Sequence, residues 1–467
     1  MYLSIKNIKR TLQQLQKSLS CLDNDMVRRC LYLFLIFSGF LVSNEIVQGE
    51  PVGAESAVAT ATAPGATVSS PTTPPPPAPA SISASQSSSA LKPAPVTDAD
   101  ANNSRKFYTV SVALREIYDS NIFTAKTNPV SSFETEVSPS ILFDFPMENT
   151  KFSARETFTA TYYSNRTGDP MDFSNEVVGT LQHSFSDRFS ISAADQFRYY
   201  TQPSLFENVG TLYYSGAYIA NTFNGSFNAQ WTPLVSTLFT YSNTYVDYFS
   251  SATAAGNNSI ENTGSGTLGF AILPKINLNF GGIVDNVAYT QIARGYTSLT
   301  GNTGINWQAL PSLSVNLAIG ASVTSTELSS SQTNATPYGA VGVNWQLGAR
   351  SSLSFNYSHE VVPTDVTTAM GQVADRIGTT FHYDILPSLS AHLEGTYTHG
   401  EYTPWLISPN TISAYSENDF AIDAGLTYHV NRYFDVNIGN IYSGVASGLS
   451  FRDYNRDQVY LGVRGTY

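Results

Sequence analysis

From Phe107 to Tyr467 the chain is punctuated at a nearly constant interval. Short turn signals fall near Pro146, Asp187, Pro233, Pro274, Pro311, Gly348, Pro387 and Asn431, about forty residues apart. Three of them repeat almost verbatim, as LPKI at 273–276 and LPSL at 310–313 and 386–389. Longer polar stretches lie between them, at 250–262, 327–336, 362–373, 402–416 and 444–455. Forty residues is the length of two membrane-crossing strands with their connections. Short turns that alternate with longer loops mark the two ends of a barrel, periplasmic and extracellular. The count predicts an all-β fold, a transmembrane antiparallel up-and-down β-barrel of about 18 strands (range 16–20), with both termini periplasmic.

The segments between turns carry the period a barrel wall needs. In FSISAADQFRYY, Phe189, Ile191, Ala193, Phe197 and Tyr199 share one face, while Ser190, Ser192, Gln196 and Arg198 share the other. In NDFAIDAGLTYHV, Phe420, Ile422, Ala424, Leu426, Tyr428 and Val430 oppose Asp419, Asp423, Thr427 and His429. Strands with one lipid-facing side alternate in this way, and no segment shows sustained helical periodicity. Asp195 breaks the pattern, so either it pairs locally or the register slips there. Trp231, Trp307 and Trp345 each stand just before a short turn, which predicts a periplasmic aromatic girdle. The last strand, QVYLGVRGTY, places Leu461, Val463, Gly465 and Tyr467 on one face and ends on an aromatic. It resembles the terminal signal read by the outer-membrane assembly machinery.

Ahead of the barrel the texture differs. Arg28-Arg29 precede the apolar run LYLFLIFSGFLV, which is short for a membrane helix and the right length for a signal-peptide core. Small residues at the spacing needed for cleavage precede Glu50 and Glu55. The reading is a signal peptide over 26–54, with 1–25 as an upstream extension; the alternative, an uncleaved anchor helix, is disfavoured by length. Residues 55–105, with PTTPPPPAPA at 71–80, form a Pro/Ala/Ser-rich disordered linker that cannot bury a core. Two readings of it are a solvated spacer and a tether toward peptidoglycan or polysaccharide-export proteins. The barrel takes 106–467.

Charge and cysteine usage narrow the function. Residues 106–467 carry sixteen Lys and Arg against twenty-nine Asp and Glu. That acidic balance argues against nucleic acid and, where the acids line a lumen, favours cations. Both cysteines, Cys21 and Cys30, precede the barrel, so it holds no disulfide or thiolate metal site. Cys30 is not placed for lipoprotein processing. Only 13% of residues are charged while 12% are aromatic, which suits a wall in contact with lipid and lipopolysaccharide.

The segment Glu116-Ile-Tyr-Asp-Ser-Asn-Ile-Phe123, read as closing the first strand, precedes Glu136-Val-Ser-Pro-Ser-Ile-Leu-Phe143, read as opening the second. This pairing resembles the start of the putative β-barrel porin 2 family and related outer-membrane proteins of exopolysaccharide systems. The resemblance covers roughly 106–467, is specific only in that first hairpin, and implies an outer-membrane barrel with no catalytic residues to carry over. Physically, Asp119, Ser120 and Asn121 suit a turn at the strand's end; an ion-binding role for Asp119 is the weaker reading.

Catalytic signatures are thin. His359-Glu360 and His399-x-Glu401 put imidazole beside carboxylate near extracellular strand ends, a pattern for a base dyad. No GxSxG, HExxH, Walker, Rossmann or EF-hand motif accompanies them. The expectation is no enzyme, no cofactor and no metal. On the polar faces, Arg115, Arg155, Arg198, Asp419 and Asp423 are the candidate pore-lining residues, because lipid-facing charge is costly. Three readings follow: a porin-like passive conduit for small polar solutes or ions, an outer-membrane component of exopolysaccharide export, and a non-conducting structural or adhesive barrel. Loops folded inward would favour the third.

Overall fold

The computed structural model describes residues 107–467 apart from 201–216, 250–255, 292–293, 328–332, 408–412 and 450–451. The signal peptide, the upstream extension and the linker lie outside the described residues.

Eighteen strands follow one another along the chain. The first six are β1 (Tyr108–Asp119), β2 (Ser132–Pro146), β3 (Thr150–Tyr163), β4 (Met171–Ser186), β5 (Phe189–Tyr200) and β6 (Tyr218–Thr232). Next come β7 (Val235–Tyr248), β8 (Ser259–Leu273), β9 (Ile276–Tyr289), β10 (Gly295–Leu310), β11 (Leu313–Thr326) and β12 (Thr333–Gln346). The last are β13 (Ser351–Val362), β14 (Gln372–Leu386), β15 (Leu389–Tyr402), β16 (Tyr415–Asn431), β17 (Phe434–Ser447) and β18 (Tyr454–Thr466). Each is antiparallel to its sequence neighbours, and β1 pairs with β18 to close the ring. The eight short turns fall where the sequence puts them, and three of those connections carry the repeated Leu-Pro. At the short-turn end Val110 and Tyr467 exchange backbone hydrogen bonds of 3.1 and 2.8 Å, so the barrel's first and last strands meet there. The first hairpin needs one correction. β2 opens at Ser132, four residues before Glu136, because Ser132 already pairs with Asp119.

Alternation sets the two faces of the wall. In β1 the odd positions from Thr109 to Asp119 point inward and the even ones outward, as the burial of Ala113, Ile117 and Asp119 against the exposure of Val112, Leu114 and Tyr118 requires. Carrying that parity through the strand registers gives one consistent assignment around the ring. It puts Phe420, Ile422 and Leu426 outside and Asp419 and Asp423 inside, as the sequence indicates. Asp195 keeps its register and faces outward, where it accepts a hydrogen bond from Asn221 Nδ2 at 3.2 Å. The break in the pattern is a local pair, not a slip.

The outer face is banded. Trp231, Trp307 and Trp345 project outward at the short-turn end, 53%, 47% and 38% exposed. Toward the long-loop end most hairpins carry an outward polar pair. Thr135 donates to Glu116 at 2.7 Å, Asn243 to Asn262 at 2.9 Å, Asn286 to Thr297 at 2.9 Å and Asn440 to Asp457 at 2.6 Å. His359 meets Asp375 at 2.8 Å and His399 meets Asn418 at 2.8 Å. Ten positions separate Trp307 from Thr297 and Trp231 from Asn221. At roughly 3.4 Å per residue and a tilt of about 40°, ten residues climb about 26 Å, close to the apolar band of such barrels.

This banding makes a spectroscopic prediction. In single-tryptophan variants reconstituted in bilayers, lipids brominated near the headgroup end should quench Trp231, Trp307 and Trp345 strongly. Trp405, packed against an internal cluster of buried residues, should be quenched weakly.

Candidate functional site

The inner wall is built mainly of small hydroxyl side chains bonded across strands. Ser138 meets Thr159 at 2.9 Å, Ser140 meets Thr157 at 3.0 Å and Ser153 meets Thr180 at 2.7 Å. Ser192 meets Ser226 at 2.7 Å, Thr240 meets Ser265 at 2.6 Å and Ser298 meets Ser322 at 2.5 Å. Each rung is neutral and uses part of its own hydrogen-bonding capacity, leaving lone pairs toward the interior.

All five charged residues expected on the lumen side lie on it, and most have partners there. Arg115 sits 3.9 Å from Glu136 and under the Tyr460 ring at 4.8 Å. Arg155 and Arg198 share Glu176, at 3.8 and 3.4 Å, and Gln196 also donates to that carboxylate. Asp423 accepts from Tyr460 Oη at 3.2 Å and lies 3.5 Å from His392. Asp419 is on the same face four residues toward the mouth.

His359 and Glu360 do not form a dyad. Neighbours on a strand point to opposite faces, so His359 turns outward to Asp375 while Glu360 turns inward and pairs with Arg376. His399 and Glu401 share the outer face at 3.6 Å, where Asn418 takes the other imidazole nitrogen. Neither set converges on a cleft. Asp119 proves structural: its carboxylate takes Arg456 Nε at 2.7 Å, Gln458 Nε2 at 3.2 Å and the Asn121 amide at 2.8 Å, across the β1–β18 seam.

The mouth is where the wall departs from regularity. β12 pairs with β11 as far as Thr333, but with β13 only up to Gly339 opposite His359. β13 and β14 stay paired to Val362 opposite Gln372. Beyond His359 this hairpin therefore parts from β12, while β14 stays paired with β15 as far as Val373 opposite Glu401. Val361 and Val373, on its outward parity, are buried in one cluster with Val287, Tyr289 and Tyr296 of the inner wall. The tip has turned in over the lumen. Gly371 allows the approach, since a Cβ there would stand 2.9 Å from the Val362 carbonyl and 3.0 Å from the Tyr296 ring.

Residues 363–371 then run across the mouth as a lid. On one side the Thr364 carbonyl accepts from Tyr289 Oη and from Arg294 Nη2, both at 2.5 Å. Thr364 Oγ1 meets Tyr402 Oη at 3.0 Å, and Tyr402 stacks on Tyr415 with ring centres 4.2 Å apart. Met370 donates its amide to the Leu406 carbonyl at 2.6 Å. On the other side Asp365 binds Arg452 Nη1 at 3.0 Å, and Arg452 also holds Glu417 at 2.8 and 3.1 Å. Burial alone would pull the Arg452 guanidinium down, but Asp365 and Glu417 hold it well above its ordinary range. Nearby, Lys126 donates to Asp453 at 2.6 Å, tying the first loop to the last. Lys126 and the Ser447 amide hold the Asp453 carboxyl below the usual carboxylate range. That tie is therefore complete above about pH 4 and loosens as pH falls through the lowered value. Arg294, Arg452, Asp365, Glu417 and Tyr289 were missed at the sequence level, where only the polar character of 362–373 and 444–455 stood out.

Removing one partner from a buried ion pair leaves the rest uncompensated, at a cost of about 3–5 kcal/mol. Arg452→Ala should free the lid without opening the barrel. Limited proteolysis should then cut within 363–371 while the remaining wall stays resistant and runs as a folded band in cold detergent. An uncut lid in that variant would show that Arg452 is not its anchor.

Among solved structures the chain is similar to OccK2 (OpdF) of Pseudomonas aeruginosa, at 11% identity and TM-score 0.44, covering 77% of this chain and 98% of that one. It is similar to a BenF-like porin from Pseudomonas fluorescens Pf-5, at 10% identity and TM-score 0.43, covering 77% and 99%. OpdK of Pseudomonas aeruginosa matches at 11% identity and TM-score 0.42, covering 77% and 98%. No curated protein matches the chain. The model of the family described as Putative beta-barrel porin 2 matches residues 108–467, from the first residue of β1 to the C-terminus, and the chain belongs to that family of outer-membrane barrel channels.

Proposed function

We propose that this outer-membrane barrel is a passive conduit for small polar solutes, with the β13–β14 lid narrowing its extracellular mouth. The observation that carries the reading is the inner wall. Its hydroxyl rungs, together with the charges between them, offer hydrogen bonds at many points along the wall. Such a surface replaces part of a solute's hydration while leaving nothing bound tightly, the condition for passage. Selection would then rest on size at the lid and on the charges that flank it.

The same hydroxyl-rich wall also suits a sugar chain, which exchanges hydroxyl hydrogen bonds with its surroundings. A polysaccharide-export role, with the linker reaching periplasmic machinery, is the second reading. The inward-turned lid is the observation that favours the third, a sealed barrel.

Planar-bilayer recording of the full chain separates them. A conduit gives discrete steps, and deletion of 363–371 should enlarge them severalfold, as expected when a constriction is removed. Oligosaccharides that interrupt the steps in proportion to chain length would favour export. An inserted, folded barrel that stays silent both with and without the lid would end the conduit reading.

A further inference from the structure

Three arginines are buried in the mouth, and they are not equivalent. Arg452 is compensated by Asp365 and Glu417, and Arg456 by Asp119 and Glu134. Arg294 is 1% exposed and has no carboxylate within ion-pair reach among the described residues. Its Nη2 donates to the Thr364 carbonyl at 2.5 Å, and its guanidinium lies 3.5 Å from the centre of the Tyr289 ring. Nε and Nη1 are buried and make no hydrogen bond. Glu327 approaches the backbone of the neighbouring Gly295, yet forms no ion pair with Arg294.

A buried cation answered only by one carbonyl and an aromatic face is an expensive arrangement. Leaving a charged group underpaired in the interior costs several kcal/mol, and a cation–π contact returns about 2 kcal/mol of that. Both edges of a guanidinium that can grip a carboxylate with two parallel bonds, Nε with Nη2 and Nη1 with Nη2, include the nitrogen that the Thr364 carbonyl holds, so bidentate binding requires that carbonyl to leave. The lid is therefore held unequally. Its Arg452 side is held by two carboxylates and acts as the fixed end; its Arg294 side is underpaired and acts as the end that releases.

We propose that Arg294 is the receptor of an anion-operated latch, at which a carboxylate-bearing solute displaces the Thr364 carbonyl and frees the lid to swing from the mouth about its Arg452 side. No bond is made or broken covalently; one hydrogen-bond acceptor replaces another. The carboxylate binds the released state better than the latched one, because only the released guanidinium can offer both nitrogens. That differential affinity is what a ligand needs to shift a two-state equilibrium. The proposal rests on the conduit reading for its physiological use, but the movement of the lid can be measured without it.

The test uses the full chain with Cys21→Ser and Cys30→Ser, so that no other thiol can react. Ala369→Cys then places one thiol under the lid, where Ala369 is fully buried against Tyr402 and Ile407. Its rate of modification by a cationic methanethiosulfonate reports release; Val366→Cys serves as a second site should the first variant fold poorly. Succinate is the probe, against chloride at equal ionic strength. Succinate should raise the labelling rate about tenfold, the shift produced by a tenfold preference for the released state. Arg294→Gln keeps a donor for Thr364 but removes the charge, and should abolish the response, whereas Arg294→Lys should restore part of it. Labelling that ignores succinate in the native background, or that responds equally in Arg294→Gln, overturns the latch. In parallel recordings, steps unaffected by succinate would remove the latch and leave the conduit. Succinate-dependent labelling in a barrel that never conducts would keep the latch and remove the conduit.

Discussion

Backbone hydrogen bonding in a medium without water governs this structure. Every amide and carbonyl within the apolar band must find a protein partner, and a sheet meets that demand only by closing on itself. The seam between β1 and β18 is where closure is made. The pairing runs from Ser111 opposite Thr466 to Asp119 opposite Gln458, and Asp119 fixes its upper end by drawing in Arg456, Gln458 and the Asn121 amide. The segment that marks the family resemblance, Glu116–Phe123, contains this carboxylate. Its position at the seam gives a physical reason for an acid there that needs no bound ion.

The same constraint explains why the β12–β13 boundary matters. Among the described residues, Thr333–Tyr338 of β12 pair with β11 alone. An unpaired edge is costly inside hydrocarbon and tolerable above it. Thr333 and Asn334 lie more than ten positions from the Trp345 level along the same strand, at the polar end of the band, and the split reaches down to Tyr338, seven positions from it. Pro337 brings no amide that would need a partner. The hairpin that parts from β12 there gains the apolar contacts of Val361, Val373 and Met370 against Tyr296 and Val287.

Much of this was legible in the sequence because it depends on local pattern. Turn residues set the eight short connections, and period-two alternation set the faces, so strand number and the outward tryptophans followed without tertiary information. The lid was not legible. Residues 362–373 read as an ordinary polar loop, and a polar loop splayed into water has the same composition as one folded over a mouth. What distinguishes them is partners remote in sequence: Asp365 and Arg452 are 87 residues apart, and Thr364 and Arg294 are 70 apart. No spacing rule links such residues. Even so, Val361-Val362 and Val366 in an exposed loop tip would have been poorly placed in water, and that was a signal available at the start.

Charge shows the same division between composition and place. An excess of acids over bases in 106–467 points to cations only if the acids face the lumen. Parity sends Glu116, Glu156, Asp195, Asp247, Asp375, Glu401 and Asp457 to the outer face. Inside, Glu136, Glu176 and Glu360 are matched by Arg115, Arg155, Arg198 and Arg376, and Glu417 and Asp365 by Arg452. About half of the formal excess thus lies outside the passage, while Glu261, Asp285 and Asp423 face inward as well. At the lid a compensated arginine and an underpaired one stand on opposite sides of the same short loop. Net charge describes how the barrel meets its surroundings; in the conduit proposed above, selectivity would follow from the individual charges that face the lumen.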